Sequence, residues 1–154
     1  EMVRAVASSK YPPAGDRGFS PFTRAGGYTR ENSRRIHAQA NRSTLVAVHI
    51  ESRETVDNID EVLHVKEVDV VFIGRYDLSK SMGCPGEVDS PRVSRLVADL
   101  TRRILKARKI PGTIVTDLRQ LKKMVRLGVR YLTYSVDCQM LLDGYQAVLA
   151  RLKR

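Results

Sequence analysis

Four short runs of β-branched and aliphatic residues, most of them followed by an amphipathic stretch, confine this chain to a parallel α/β fold. The runs are Leu45-Val46-Ala47-Val48-His49-Ile50-Glu51, Val68-Asp69-Val70-Val71-Phe72-Ile73-Gly74, Ile110 to Thr116, and Val129 to Val136. They are close to continuously apolar rather than alternating, the pattern of strands covered on both faces. Residues 54–65 place Val56, Ile59, Val62 and Leu63 on one helical stripe. Residues 91–109 do the same with Val93, Leu96, Val97, Leu100 and Ile104, behind a Pro91 suited to a helix start. Asp117 is positioned to cap a helix running to about Leu127, and Gly128 to end it in the left-handed conformation. Residues 139–152 read as a last helix with Leu141, Leu142, Tyr145, Val148 and Leu149. Ahead of the first strand, residues 2–9 read as the end of a helix stopped by Tyr11-Pro12-Pro13. Residues 12–28 form a Gly- and Pro-rich loop, and residues 29–41 a short helical pattern.

Strands separated by helices imply a parallel sheet with right-handed crossovers. Periodicity alone does not choose between an open doubly wound sheet and part of a closed barrel. A complete eight-stranded barrel needs about 200–250 residues, and this chain has 154. One domain over residues 1–154 is expected, with no second domain.

The net charge of +10 raises the question of nucleic acid. The basic residues cluster as Arg102, Arg103, Lys106, Arg108 and Lys109, and as Arg119, Lys122, Lys123 and Arg126. Both groups alternate with apolar residues at helical spacing, as on a solvated helix face. No zinc-finger spacing, aromatic RNA-binding strand or GXXG loop accompanies them, so no specific nucleic-acid partner is expected. No apolar stretch approaches the roughly 18–20 residues of a membrane span, and no secretory leader is visible at the start. Cys84 and Cys138 lack metal or disulfide spacing and read as reduced thiols, which suits a cytoplasmic protein.

Ligands of parallel α/β folds gather at the carboxyl ends of the strands. Two acids fall there: Glu51 ends the first strand, and Asp77 lies three residues past the second, in Gly74-Arg75-Tyr76-Asp77-Leu78-Ser79. Two carboxylates on one rim make a hard-cation site that water and substrate oxygens complete. On spacing alone a structural reading is the more common one: Glu51 pairing with Arg53, and Asp77 capping the turn before Ser79.

Three ordered motifs carry a resemblance. Tyr11-Pro12-Pro13-Ala14-Gly15-Asp16-Arg17-Gly18 with Thr23-Arg24-Ala25 resembles the YPPxGxRG…RA stretch of the HpcH/HpaI aldolases. His49-Ile50-Glu51-Ser52-Arg53 with Val56-Asp57-Asn58-Ile59 resembles their strand end and helix start. Val68 to Gly74, Asp77-Leu78-Ser79 and Met82-Gly83 resemble GVDxVFIGPxDLSxxxG. The resemblance covers essentially the whole chain. It implies strands five to eight of a (β/α)₈ barrel, with Glu51 and Asp77 as ligands of Mg²⁺, Mn²⁺ or Co²⁺. It further implies a class II aldolase that cleaves a 4-hydroxy-2-oxo acid to pyruvate and an aldehyde. The metal would act on the keto oxygen as a Lewis acid and offset charge developing on the enolate. Gly74, Tyr76 and Asp77 are the implied contacts of the 2-oxo acid, with backbone N–H groups meeting its carboxylate. Ser79 would stabilise their turn.

The sequence departs from that family at two positions and in extent. His49 stands where the family commonly has Gln, and is expected to support the metal site from behind. Arg75 replaces the usual Pro of the turn, which either loosens the turn or turns a guanidinium toward an anionic substrate end. His37 and His64 are expected on helices without a catalytic part. The family's catalytic His and enolate-steadying Arg belong to earlier strands, and no segment here aligns with them; the chain begins within the helix before strand five. A half barrel leaves two strand edges unpaired, so the chain alone is not expected to be a stable monomer. A homo-oligomer or a complementing N-terminal half is the expected partner. The alternatives are an inactive truncated paralogue serving as a binding or assembly module, and a lyase of the citrate-lyase β-subunit type. Nothing here is suited to hold the coenzyme A group of the latter. An RNA-binding reading rests on charge alone.

Overall fold

The computed structural model describes residues 2–30 and 33–152. Its centre is a four-stranded sheet made of β1 (Ala47–Ile50), β2 (Val70–Ile73), β3 (Ile110–Val115) and β4 (Tyr131–Tyr134), in that spatial order. Every pairing is parallel, with Val71 opposite both Val48 and Pro111, and Thr113 opposite Leu132. This is the strand–helix repeat that the apolar runs predict, with β3 nearly as long as its run and the other strands a few residues shorter than theirs.

The helices are α1 (Met2–Ser9), α2 (Ser33–Ser43), α3 (Arg53–Asp57), α4 (Ile59–His64), α5 (Arg75–Ser81), α6 (Pro91–Lys106), α7 (Leu118–Leu127) and α8 (Asp137–Leu152). The caps lie where local chemistry puts them. Ser90 accepts from Val93 N ahead of Pro91, Asp117 accepts from Gln120 N, and Gly128 ends α7 at φ 99°. Only the left-handed region closes α7 in this way, and glycine enters it without a Cβ penalty.

Three expectations are corrected here. Residues 54–65 are not one helix: a break at Asn58 separates α3 from α4. The segment after Gly74 is not a turn but the helix α5, so Asp77 sits in a helical first turn. Lys109 does not belong to a solvated face. It is buried, and its Nζ donates to Val65 O and Val68 O, both at 2.7 Å. The loop between α1 and α2 holds a 3₁₀ turn, Arg24–Gly26. Of the helical pattern at 29–41, residues 31 and 32 lie outside the described residues.

The two faces of the sheet differ. Val48, Ile50, Val71, Ile73 and Val115 point into a core shared with Ile59, Val62, Val93, Val97, Leu100, Ile104 and Met124. Each such side chain contributes about 1.5–3 kcal/mol of burial. On the opposite face a row of partners runs His49, Phe72, Gly112, Tyr131. His49 stacks on Phe72 with centroids 4.7 Å apart, and Phe72 meets Tyr131 edge-on at 6.3 Å. Gly112 leaves them room: a Cβ there would lie 3.0 Å from Phe72 and 3.1 Å from Tyr131. His37 packs flat on Tyr11 at 4.1 Å, and His64 Nδ1 lies 2.6 Å from Asp60 O, so neither reaches the rim.

The last helix breaks the pattern. None of the residues of α8 is buried, and the expected apolar stripe is open, with Leu141 62% and Tyr145 65% exposed. The stripe exists in the sequence, but nothing in this chain covers it among the described residues.

Candidate metal and substrate rim

Glu51 leaves β1 directly into the start of α3. Ser52 holds that start with a capping box: its Oγ accepts from Thr55 N at 3.2 Å, and Ser52 N donates to Thr55 Oγ1 at 3.1 Å. The carboxylate is thereby carried on a fixed strand end at the carboxyl rim. It packs against Gly74, the last residue before α5. A Cβ on Gly74 would lie 2.8 Å from Glu51 Oε2 and 2.9 Å from Glu51 Cβ. Gly74 N also donates to Ile50 O at 3.0 Å, so the two strand ends are joined at the point where the carboxylate rests.

Helix α5 starts there and buries one face, Arg75, Leu78 and Ser79. This is the i, i+3, i+4 stripe of a helix. Tyr76 and Asp77 fall on the exposed side. Ser79 Oγ donates to Tyr76 O at 2.6 Å and accepts from Gly86 N at 3.0 Å, which fastens α5 to the following loop. Ser79 has the stabilising part expected of it.

The donor set suits a hard divalent ion. Among the described residues Glu51 Oε2 lies 3.4 Å from His49 Nδ1, and the alternative pairing of Glu51 with Arg53 does not form. Asp77 makes no hydrogen bond or ion pair among the described residues, and Gly74, not Asp77, is the cap of α5. No cluster of three or more His, Cys, Asp or Glu suited to a metal occurs among the described residues. Two carboxylates with open positions leave the other sites to water and substrate oxygens.

Arg75 is where the sequence reading went wrong. Its guanidinium faces neither solvent nor a substrate end. The side chain is 1% exposed and runs behind the rim, between the end of β3 and the start of α7. Its Nη2 donates to Ile114 O and Gln120 Oε1, both at 2.8 Å, and Nη1 lies 3.7 Å from Asp89 Oδ1. Burial pushes the guanidinium below the usual arginine range, opposed by Asp89, then Tyr76 and Asp117. Its partners lie far along the chain, and no local pattern signals such a contact.

A parallel strand–helix repeat with two carboxylates at the carboxyl ends of adjacent strands is the arrangement of a piece of a (β/α) barrel. The profile described as HpcH/HpaI aldolase/citrate lyase matches residues 1–143. The chain belongs to this family, and its sheet is the C-terminal half of the family's barrel. It is 38% identical over 152 residues to the 4-hydroxy-2-oxo-heptane-1,7-dioate aldolase of Klebsiella pneumoniae, covering 98% of this chain and 57% of that protein. The enzyme of the same name from Salmonella heidelberg is 37% identical over the same shares. Among solved structures, the HpcH/HpaI aldolase from Desulfitobacterium hafniense superposes with a TM-score of 0.89 at 25% identity. That match covers 99% of this chain and 59% of that one. A family protein from Burkholderia cenocepacia gives 0.85 at 27% identity, covering 97% and 59%. The chain thus spans little more than half the length of the relatives it matches. No helix among the described residues is long and apolar enough to cross a membrane.

Proposed function

We propose that this chain supplies the metal and pyruvate rim of a class II aldolase that cleaves a 4-hydroxy-2-oxo acid to pyruvate and an aldehyde. The observation that carries the reading is the lodging of Glu51 against Gly74, at the foot of the helix that presents Asp77. Glu51 and Asp77 would hold the ion, and Mg²⁺, Mn²⁺ and Co²⁺ all accept such oxygen donors. When bound, the ion withdraws charge from the keto oxygen and offsets the charge that develops there. His49 Nδ1 lies 3.4 Å from Glu51 Oε2, the oxygen that rests against Gly74, and its ring stacks on Phe72, which places it to support that carboxylate. Gly74, Tyr76 and Asp77 form the contact line for the 2-oxo acid, whose carboxylate the first-turn N–H groups of α5 can meet.

Cleavage removes the proton of the C4 hydroxyl, breaks the C3–C4 bond and releases the aldehyde. The bonding electrons pass to the enolate, which takes a proton at C3 to become pyruvate. The base and the enolate-steadying arginine would come from strands one to four of the barrel. The open face of α8 requires cover, which a homo-oligomer or a complementing N-terminal half would supply.

The test, run with strands one to four of the barrel supplied, is exchange of pyruvate methyl protons in heavy water, followed by NMR with Mn²⁺ or Mg²⁺ and with a chelator. Metal-dependent exchange lost in Glu51→Gln and in Asp77→Asn is the expected result. Metal-dependent pyruvate binding without exchange would instead mark the chain as a binding module. Pyruvate binding indifferent to metal and to both substitutions would remove the reading.

A further inference from the structure

Arg75 is a buried charge that the proposed chemistry does not use. Its Nε and Nη1 find no hydrogen-bond partner among the described residues, although the side chain is 1% exposed. An ion so placed is costly, and an apolar side chain of similar volume would often be no less stable. What an apolar side chain does not supply is direction. Arg75 is the first residue of α5 and joins it to three separate segments. Nη2 reaches the end of β3 through Ile114 O and the first turn of α7 through Gln120 Oε1. Asp89, on the loop before α6, lies 3.7 Å from Arg75 Nη1, takes Gln120 Nε2 at 3.1 Å, and lies 3.7 Å from Lys123 Nζ. Side chains two apart on a helix do not share a face. Seating Arg75 inward therefore sets the roll of α5 that leaves Asp77 outward on the rim.

We propose that Arg75 is a positioning residue for the Asp77 limb of the rim, acting through its buried bonds to β3 and α7. The proposal rests on the metal reading of Glu51 and Asp77. It assigns to this position a directional clamp rather than a substrate contact.

The test uses the full-length protein and Mn²⁺ alone, with free ion counted by electron paramagnetic resonance. Arg75→Met keeps the bulk and loses the bonds; its Mn²⁺ dissociation constant should rise about tenfold, the scale of a lost supporting contact. Arg75→Ala should lose affinity likewise and regain most of it with millimolar methylguanidinium, but not with methylammonium. A merely structural role would give no such selective rescue, because both cations leave general packing unrepaired. Asp89→Asn, on an exposed loop, covers the case in which the Arg75 variants do not fold, and should weaken Mn²⁺ by about threefold. If Glu51→Gln abolishes Mn²⁺ binding while the Arg75 and Asp89 variants bind as the unmodified protein does, the clamp is overturned and the rim stands. Loss of affinity without guanidinium rescue also overturns it. If the unmodified protein binds no Mn²⁺, or Glu51→Gln leaves binding unchanged, rim and clamp fall together.

Discussion

Gly74→Ala isolates the contact on which the rim depends. The backbone of Gly74 has φ −78° and ψ 82°, so φ is open to alanine and the side-chain contact dominates the effect. The new Cβ would meet Glu51 Cβ at 2.9 Å and Oε2 at 2.8 Å. Carbon atoms pack best at about 3.5–4.0 Å, so the two Cβ atoms must separate by roughly 0.6–1.1 Å. The carboxylate can swing aside, but Glu51 Cβ is one bond from a backbone held by the sheet and by the capping box of Ser52. Overpacking of this kind costs about 1–3 kcal/mol. Against it, alanine restricts the unfolded chain and returns about 0.4–1 kcal/mol. A net loss of about 1–2 kcal/mol is expected in urea unfolding. Because the displaced group is the proposed ligand, Mn²⁺ affinity should fall by about tenfold or more. Gly18→Ala, with nothing within 4 Å of its Cβ, is the control: it should leave Mn²⁺ affinity unchanged and gain only the unfolded-chain term of about 0.4–1 kcal/mol. Unfolding and Mn²⁺ titration of Gly74→Ala that both match the unmodified protein would refute the reasoning, since the carboxylate would not then rest on Gly74.

Further outcomes follow from the helix ends and one buried amine. Gly128→Ala places a Cβ in the left-handed region and 2.8 Å from Leu105 Cδ1; urea unfolding should show a loss of about 1–2 kcal/mol. Asp117→Ala removes the acceptor for Gln120 N, 2.7 Å away, and should cost about 1 kcal/mol by the same assay. Burial pushes Lys109 below the usual lysine range, opposed by Asp69 and Glu67. The folded chain therefore releases this proton before the unfolded chain does, so stability should rise with pH between the two values and level off above the unfolded one. Unfolding free energies across that alkaline range should show the rise, and Lys109→Met should flatten it.

The barrel repeat was legible because its signals are local. Asp117 and Gly128 bracket α7 through contacts within four residues, and the run from Val68 to Gly74 is apolar whatever surrounds it. Glu51 and Asp77 could be placed on one rim because parallel strands carry their ends to the same side. Their roles came from the resemblance, since two acids at strand ends are common in purely structural settings. The misread features depend on distant partners. Arg75 suggested a loosened turn or a substrate contact because its acceptors, Ile114 O and Gln120 Oε1, lie 39 and 45 positions away. Lys109 was assigned to a charged face because its carbonyl partners, on Val65 and Val68, belong to the preceding strand–helix unit. The stripe of α8 was read correctly as apolar, but periodicity reports only that a face seeks cover, not where the cover comes from.

That last helix also governs how the chain should behave on dilution. A helix of 16 residues that buries none of its own side chains rests on intrinsic propensity, and isolated helices near this length are marginal in water. Gly144, in its middle, lowers that propensity by about 1 kcal/mol relative to alanine. Its helicity then becomes a linked equilibrium: whatever covers the stripe also completes the winding, and the ordering free energy is charged to the association step. The helical far-ultraviolet signal should therefore strengthen as protein concentration rises.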